Sequence, residues 1–188
     1  KYFVLSALSS GLLLYGCSLI YGFTNSTKFA EIAINLDISN FGSIFGIVFI
    51  IVGLAFKVSA VPFHMWAPDV YEGSPTSVTS FFSIVPKIAG LTVFIRFLYV
   101  PFINVIIQWQ FIIIFISIAS MILGSIAAIG QNNIKRLVAY SSIGHIGFIL
   151  AGLSTATNNG IQNSIIYLVI YGIMNLGLFS CIFLLKRK

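Results

Sequence analysis

Lys57 and Lys87 are the residues around which any chemistry in this sequence must be built, because each lies inside a long apolar run. Lys57 follows an uncharged stretch that opens at Phe41, so it sits at membrane depth. An ionisable group at that depth is costly and points to function by default. It begins the string FKVSAVPFHMWAPDVYEG, Phe56 to Gly73, which also gathers His64, Asp69 and Glu72 around Pro62, Pro68 and Trp66. Pro62 has no N–H for the carbonyl of Val58, which frees a backbone acceptor beside the lysine. On a continuous helix, His64 would fall about two turns beyond Lys57, on the same face. Lys87 directly follows Pro86 near the middle of the next apolar run, from which a lysine does not easily snorkel. His145 stands in a later apolar stretch beside Ser141, Ser142 and Gly144.

The chemistry these residue types offer is reversible proton transfer. An ammonium taken out of water is driven towards its neutral form, and an imidazole titrates near neutrality. Two lysines on adjacent spans can pass a proton through water or a polar side chain, with His145 as a further relay. An interrupted span with an interior charge is a common build for transporter ion sites. Plainer readings stand beside this one. Lys57 is also placed to snorkel near a helix end, and Lys87 to be a fixed charge paired with Asp69 or Glu72 at the start of its helix. His145 is equally suited to hydrogen-bonded packing. Asp69 and Glu72 fit support of the helix start and tuning of the lysines. His64 is the weaker candidate, close to the interface, where Trp66 and Tyr71 fit an aromatic belt.

The elements that must position these groups are transmembrane helices. Of the 188 residues, 59% are hydrophobic and only 7% charged, where soluble domains carry about 25% charged residues. Long apolar runs without period-two alternation favour helices over a closed barrel. The approximate spans are 2–21, 41–66, 75–100, 102–129, 137–153 and 161–185, within a single transmembrane domain over 1–188. The second span is discontinuous near Pro62. Asn25–Asn40 reads as a connection with an interfacial helix, and Ala67–Ser74 as a loop before the Ser74-Pro75 helix start. Gly124, Gly144, Gly147, Gly172 and Gly177 would let helices approach closely.

The net charge of +6 is scattered over span ends and gives no nucleic-acid signal. Six crossings put both termini on one side with Lys1, Lys135, Arg136 and Lys186–Lys188, which the positive-inside rule assigns to the matrix or cytoplasm. Cys17 and Cys181 fit lipid-phase packing, and no Cys/His cluster or Gly-rich phosphate loop suggests a metal or cofactor on this chain. The sequence opens on Lys1 without an initiator methionine, as a piece of a longer or split protein would. Its 18 Phe and 8 Tyr suggest an AT-rich genome such as an organelle's.

FKVSAVPFHMWAPDVYEGSPT, the following PKIAG, QNNIKRLVAYSSIGHIGF and YGIMNLG together resemble the antiporter-like membrane subunits of respiratory complex I, NADH:ubiquinone oxidoreductase. The similarity runs in order over nearly the whole chain and points to the subunit N family, called subunit 2 in mitochondria. It implies a stretch of an antiporter-like inverted-repeat bundle, in the mitochondrial inner membrane or a bacterial plasma membrane. It implies that Lys57 is the central lysine on a broken helix and that Lys87 links this site to the next along a polar axis. Lys1 would match a lysine at the start of the preceding helix, and His145 would lie further along the axis. NADH, FMN, iron–sulfur clusters and ubiquinone would act elsewhere in the complex. The family's glutamate partner of the central lysine and its second lysine-bearing broken helix have no counterpart here. A companion chain would therefore supply them, alongside other membrane-arm subunits and the lipid bilayer. Two further functions fit the same residues: a subunit of a multisubunit cation/proton antiporter, and a structural membrane-arm spacer.

Overall fold

In hydrocarbon, every backbone N–H and C=O must find a partner within its own segment, so apolar runs of this length become helices. The computed structural model describes residues 2–37 and 40–186, the side chain of residue 186 excepted. Among them are eight α-helices and no strand: α1 (Tyr2–Thr24), α2 (Phe29–Asn35), α3 (Phe41–Val58), α4 (Trp66–Gly73), α5 (Thr76–Tyr99), α6 (Ile106–Ile129), α7 (Ile134–Ser154) and α8 (Asn158–Lys186). Six of these helices are long and apolar enough to cross a membrane, with α2 and α4 as short intervening pieces.

Burial sorts the six. Of the apolar windows, 56% is buried in both α3 and α7 but only 17% in α1. α3 and α7 therefore form the interior, and α1, α6 and α8 turn apolar side chains such as Phe3, Phe111 and Ile173 outward. Two antiparallel pairs, α1 with α3 and α6 with α7, are bridged by α5 and α8: α5 packs on α3 and α8, and α8 packs on α7. Glycine permits the closest approach. A Cβ on Gly124 would stand 2.5 Å from the backbone nitrogen of Gly144, so α6 and α7 touch backbone to backbone there. By contrast, a Cβ on Gly144 itself or on Gly177 would face open space.

The second span is interrupted around Pro62, as its sequence suggests: α3 ends at Val58 and α4 begins at Trp66. α3 stops at Val58 because Ser59 adopts the left-handed conformation, φ 59°. The chain then turns as far as Trp66, where α4 begins. Pro62 lies in the middle of the break, after the helix has already stopped, and the Val58 carbonyl accepts from the Ser59 hydroxyl at 2.6 Å. Lys57 and His64 consequently share no helix face. The freed backbone groups find partners locally and across the bundle. The Trp66 indole donates to the Phe56 carbonyl at 3.0 Å. The Val61 N–H donates to Ser120 Oγ on α6 at 2.9 Å. The stretch after Trp66, expected to be a loop, is the helix α4, with Pro68 tolerated in its first turn.

Helix starts also differ. Asn133 caps α7 by accepting from the Lys135 N–H at 3.0 Å, so Lys135 and Arg136 belong to the first turn of the helix and do not precede it. The sixth span begins at Asn158 and the fourth, after a 3-10 turn at Ile103–Val105, at Ile106.

Candidate functional site

α5 carries Lys87 into the interior. The side chain is only 1% exposed, and its Nζ donates to Ser142 Oγ on α7 at 2.6 Å. The Tyr71 ring of α4 presents its face to the ammonium, 5.4 Å from ring centroid to Nζ, an arrangement that attracts a cation. Pro86, inside α5, cannot donate to the carbonyl of Phe82. The Tyr71 hydroxyl reaches that carbonyl at 3.4 Å. Tyr171 of α8, itself buried, donates to the Ser83 carbonyl one residue on at 3.0 Å. The proline-loosened turn that carries Lys87 is therefore held by two tyrosines from other helices.

His145 lies one turn beyond Ser142 on α7 and shares with it a small cavity of about 90 Å³, lined also by Tyr171 and Asn175. Its Nδ1 is 2.9 Å from the Tyr167 hydroxyl, and its ring lies 5.5 Å from that of Tyr171. A cavity of that size with five polar side chains on its wall, Ser141 among them, has room for a few water molecules. Lys87, Ser142 and His145 thus run as a polar line through an apolar bundle.

Lys57 is half-buried at the end of α3 and donates to Ser10 Oγ on α1 at 3.2 Å. It lines a cavity of about 270 Å³ together with Pro86, Ala89 and Gly90 of α5. Gly90 keeps the two helices close, since a Cβ there would meet Val58 Cγ1 at 3.0 Å. Lys57 thus opens onto the turn of α5 that carries Lys87. His64 sits half-buried in the turn between α3 and α4, away from any shared face with Lys57. Lys1 lies outside the described residues.

Asp69 and Glu72 lie on α4 and not at the start of α5, and they reach the first turn of α7. Arg136 is 2.8 Å from Glu72 and 3.5 Å from Asp69. Asn133 Nδ2 adds a bond to Glu72 at 3.0 Å, and Lys135 donates to the Ser74 carbonyl at 2.7 Å. The pairing of Lys87 with these acids that the sequence allowed is not the one adopted. Sequence reasoning did not single out Ser142, Tyr167 or Tyr171 as parts of a site. The signal available for them was weak: polar residues at helical spacing inside apolar runs, Ser142 three residues before His145 and Tyr167 four before Tyr171.

All residues from 1 to 188 match the family described as NADH:quinone oxidoreductase/Mrp antiporter, transmembrane. The chain belongs to this family. It is 73% identical over its full length to NADH-quinone oxidoreductase subunit N of Pelagibacter ubique (strain HTCC1062), of which it covers 40%. The chain therefore spans about 40% of the length of the curated relatives it matches. Among solved structures, it superposes on the Mrp complex from Dietzia sp. DQ12-45-1b with a TM-score of 0.88 and 26% identity, covering 96% of this chain and 34% of the other. On respiratory complex I from Thermus thermophilus with bound aureothin the TM-score is 0.75 at 32% identity, covering 95% and 39%. Membership in this family and the six candidate spans make the chain part of a multi-pass membrane protein.

Proposed function

We propose that this chain is a proton-transferring segment of the antiporter-like subunit N of a respiratory NADH-quinone oxidoreductase. The observation that carries the reading is the buried Lys87 ammonium, bonded across helices to Ser142 and followed one turn on by His145. In this reading a proton arriving at Lys57 enters the cavity on α5, crosses the turn that separates that cavity from Lys87, and leaves through Ser142 Oγ towards His145. Ser142 donates its own hydroxyl proton to the Ala139 carbonyl at 2.6 Å, so each transfer through it requires that hydroxyl to rotate. Tyr167 can donate to or accept from His145 and so follows either protonation state of the ring. Redox energy would come from quinone reduction on other subunits, where NADH, FMN, iron–sulfur clusters and ubiquinone act, and this chain would bind none of them.

The companions in this reading are the remaining helices of the same antiporter-like unit and the neighbouring membrane-arm subunits. The curated relatives named above are bacterial, which favours the plasma membrane over the mitochondrial inner membrane, with both termini on the cytoplasmic side. The likeness to the Mrp complex supports a second reading, a cation/proton antiporter subunit driven by ion gradients. The two separate on whether proton movement through the assembled complex requires electron flow to quinone.

The experiment replaces Lys57 and Lys87 in the intact complex and measures protons pumped per electron in sealed vesicles, with assembly checked first. Lys57→Ala should abolish or severely reduce pumping. Lys57→Arg and Lys87→Arg should also impair it, because arginine keeps its proton at any accessible pH. If both arginine variants assemble and pump at the normal ratio, these lysines are fixed charges and the proposal is wrong.

A further inference from the structure

Arg136 joins two helices that both contribute to the surroundings of Lys87. From the first turn of α7 it reaches Glu72 at 2.8 Å and Asp69 at 3.5 Å, both on α4. These acids flank Tyr71, whose ring faces the Lys87 ammonium and whose hydroxyl meets the Phe82 carbonyl left free by Pro86. Six residues further along α7, a rise of about 9 Å, Ser142 accepts from Lys87 Nζ. The tie is built from several side chains. Asn133, the cap of α7, also donates to Glu72, and Lys135 donates to the Ser74 carbonyl at the end of α4.

Energetics argue against a role in stability alone. Arg136, Asp69 and Glu72 are 33%, 35% and 42% exposed, and ion pairs this exposed contribute little to folding. What they can fix is geometry. α4 is only eight residues long and is cut from α3 by the turn after Ser59; Trp66, Ala67 and Tyr71 bury one face of it against Phe56 and Ala139, and the ion pairs act on its other, half-exposed side. An arginine gripping two carboxylates one turn apart on one face fixes both the height and the rotation of such a helix.

We propose that Arg136 is a positioning residue: it pins α4 against α7 so that Tyr71 and Ser142 together enclose the Lys87 ammonium. The proposal rests on the reading of Lys87 as a proton carrier. Arg136 acts through Tyr71 and touches no transferred proton itself.

The test uses the intact, assembled complex in sealed vesicles and the rate of quinone-dependent proton pumping. Arg136→Gln should leave assembly near normal and lower the pumping rate roughly tenfold, within the loss that small misplacements of reacting groups produce. Arg136→Lys, which keeps a charge within reach of one carboxylate, should recover much of it. Tyr71→Phe keeps the ring and removes the bond to Phe82, and Tyr71→Ala removes both. In the Tyr71→Ala background, Arg136→Gln should add little further loss, because residues acting through one contact are not additive. Normal pumping by assembled Arg136→Gln overturns the proposal, as does full additivity with Tyr71→Ala or failure of Arg136→Lys to restore rate. Lys87→Ala is run in parallel. If it pumps normally, the reading of Lys87 has failed; if it does not pump while Arg136→Gln does, only the positioning role has failed.

Discussion

At the scale of single residues, the site turns on what an apolar interior does with a lysine. An ammonium deprived of water needs hydrogen-bond acceptors, and Lys87 has Ser142 Oγ at 2.6 Å. Ser142→Ala should therefore leave a buried donor short of a partner, at a cost of ~1–3 kcal/mol, and slow pumping in the assembled complex. Ser142→Thr, which keeps a hydroxyl, should retain most of both. Melting temperature and pumping rate of the purified complex, measured together, check the expectation. Unchanged pumping with Ser142→Ala would remove the hydroxyl from the path. Lys57, Lys87 and His145 were legible in the sequence because charge inside an apolar run is conspicuous without any structure. Ser142 was not, since serine is common in membrane helices and nothing local marks the one that faces a lysine.

At the scale of helices, two contacts set the geometry that the site needs. The turn after α3 hangs on the Val61 N–H to Ser120 Oγ bond, and Ser120 is fully buried. Ser120→Ala should leave that backbone donor unsatisfied and lower the stability of the complex by ~1–3 kcal/mol, read as a lower melting temperature in detergent; no change would mean that the turn is held elsewhere. Gly124→Ala should act on a different pair of helices. Its added methyl would stand 2.5 Å from the Gly144 nitrogen, so α6 and α7 must separate, at a cost of ~1–3 kcal/mol. Since α7 bears Ser142 and His145, the yield of assembled, pumping complex should fall. Gly177→Ala, where nothing lies within reach, is the matched control and should be silent. Hydropathy revealed each long helix and the break around Pro62, but not the residue that ends α3, because a left-handed serine at position 59 leaves no compositional trace. It also missed α4, whose mixture of Asp, Glu, Pro and Gly reads locally as a loop.

At the scale of the whole molecule, the alternation of six spans places α4, the start of α1, the start of α7 and the end of α8 on one side, and α2 on the other. The ion pair between Glu72 and Arg136 and the bond from Asn104 to the Ala33 carbonyl, 2.9 Å, hold these two sides together separately. The Lys/Arg asymmetry then predicts that α2 faces outward. Cys17 and Cys181 are both exposed, so the labelling experiment begins from a variant with both replaced by serine. A membrane-impermeant thiol reagent should modify Lys28→Cys from outside and Gln131→Cys only after the membrane is opened. The reverse pattern would invert the topology.

The sequence by itself determined the multi-pass membrane character, the number of candidate spans, the placing of Lys57 and Lys87 within apolar runs and the resemblance that the family match later established. These are properties of composition along a line, and the hydrophobic effect and backbone satisfaction in lipid act on them directly. Only the tertiary structure decided the partners. Lys87 and Ser142 are 55 residues apart, and Glu72 and Arg136 are 64 apart. Which helix faces meet depends on close packing at Gly90, Gly124 and Gly147 and on a turn at Ser59. No local pattern encodes those contacts, because each exists only once the helices have been brought together.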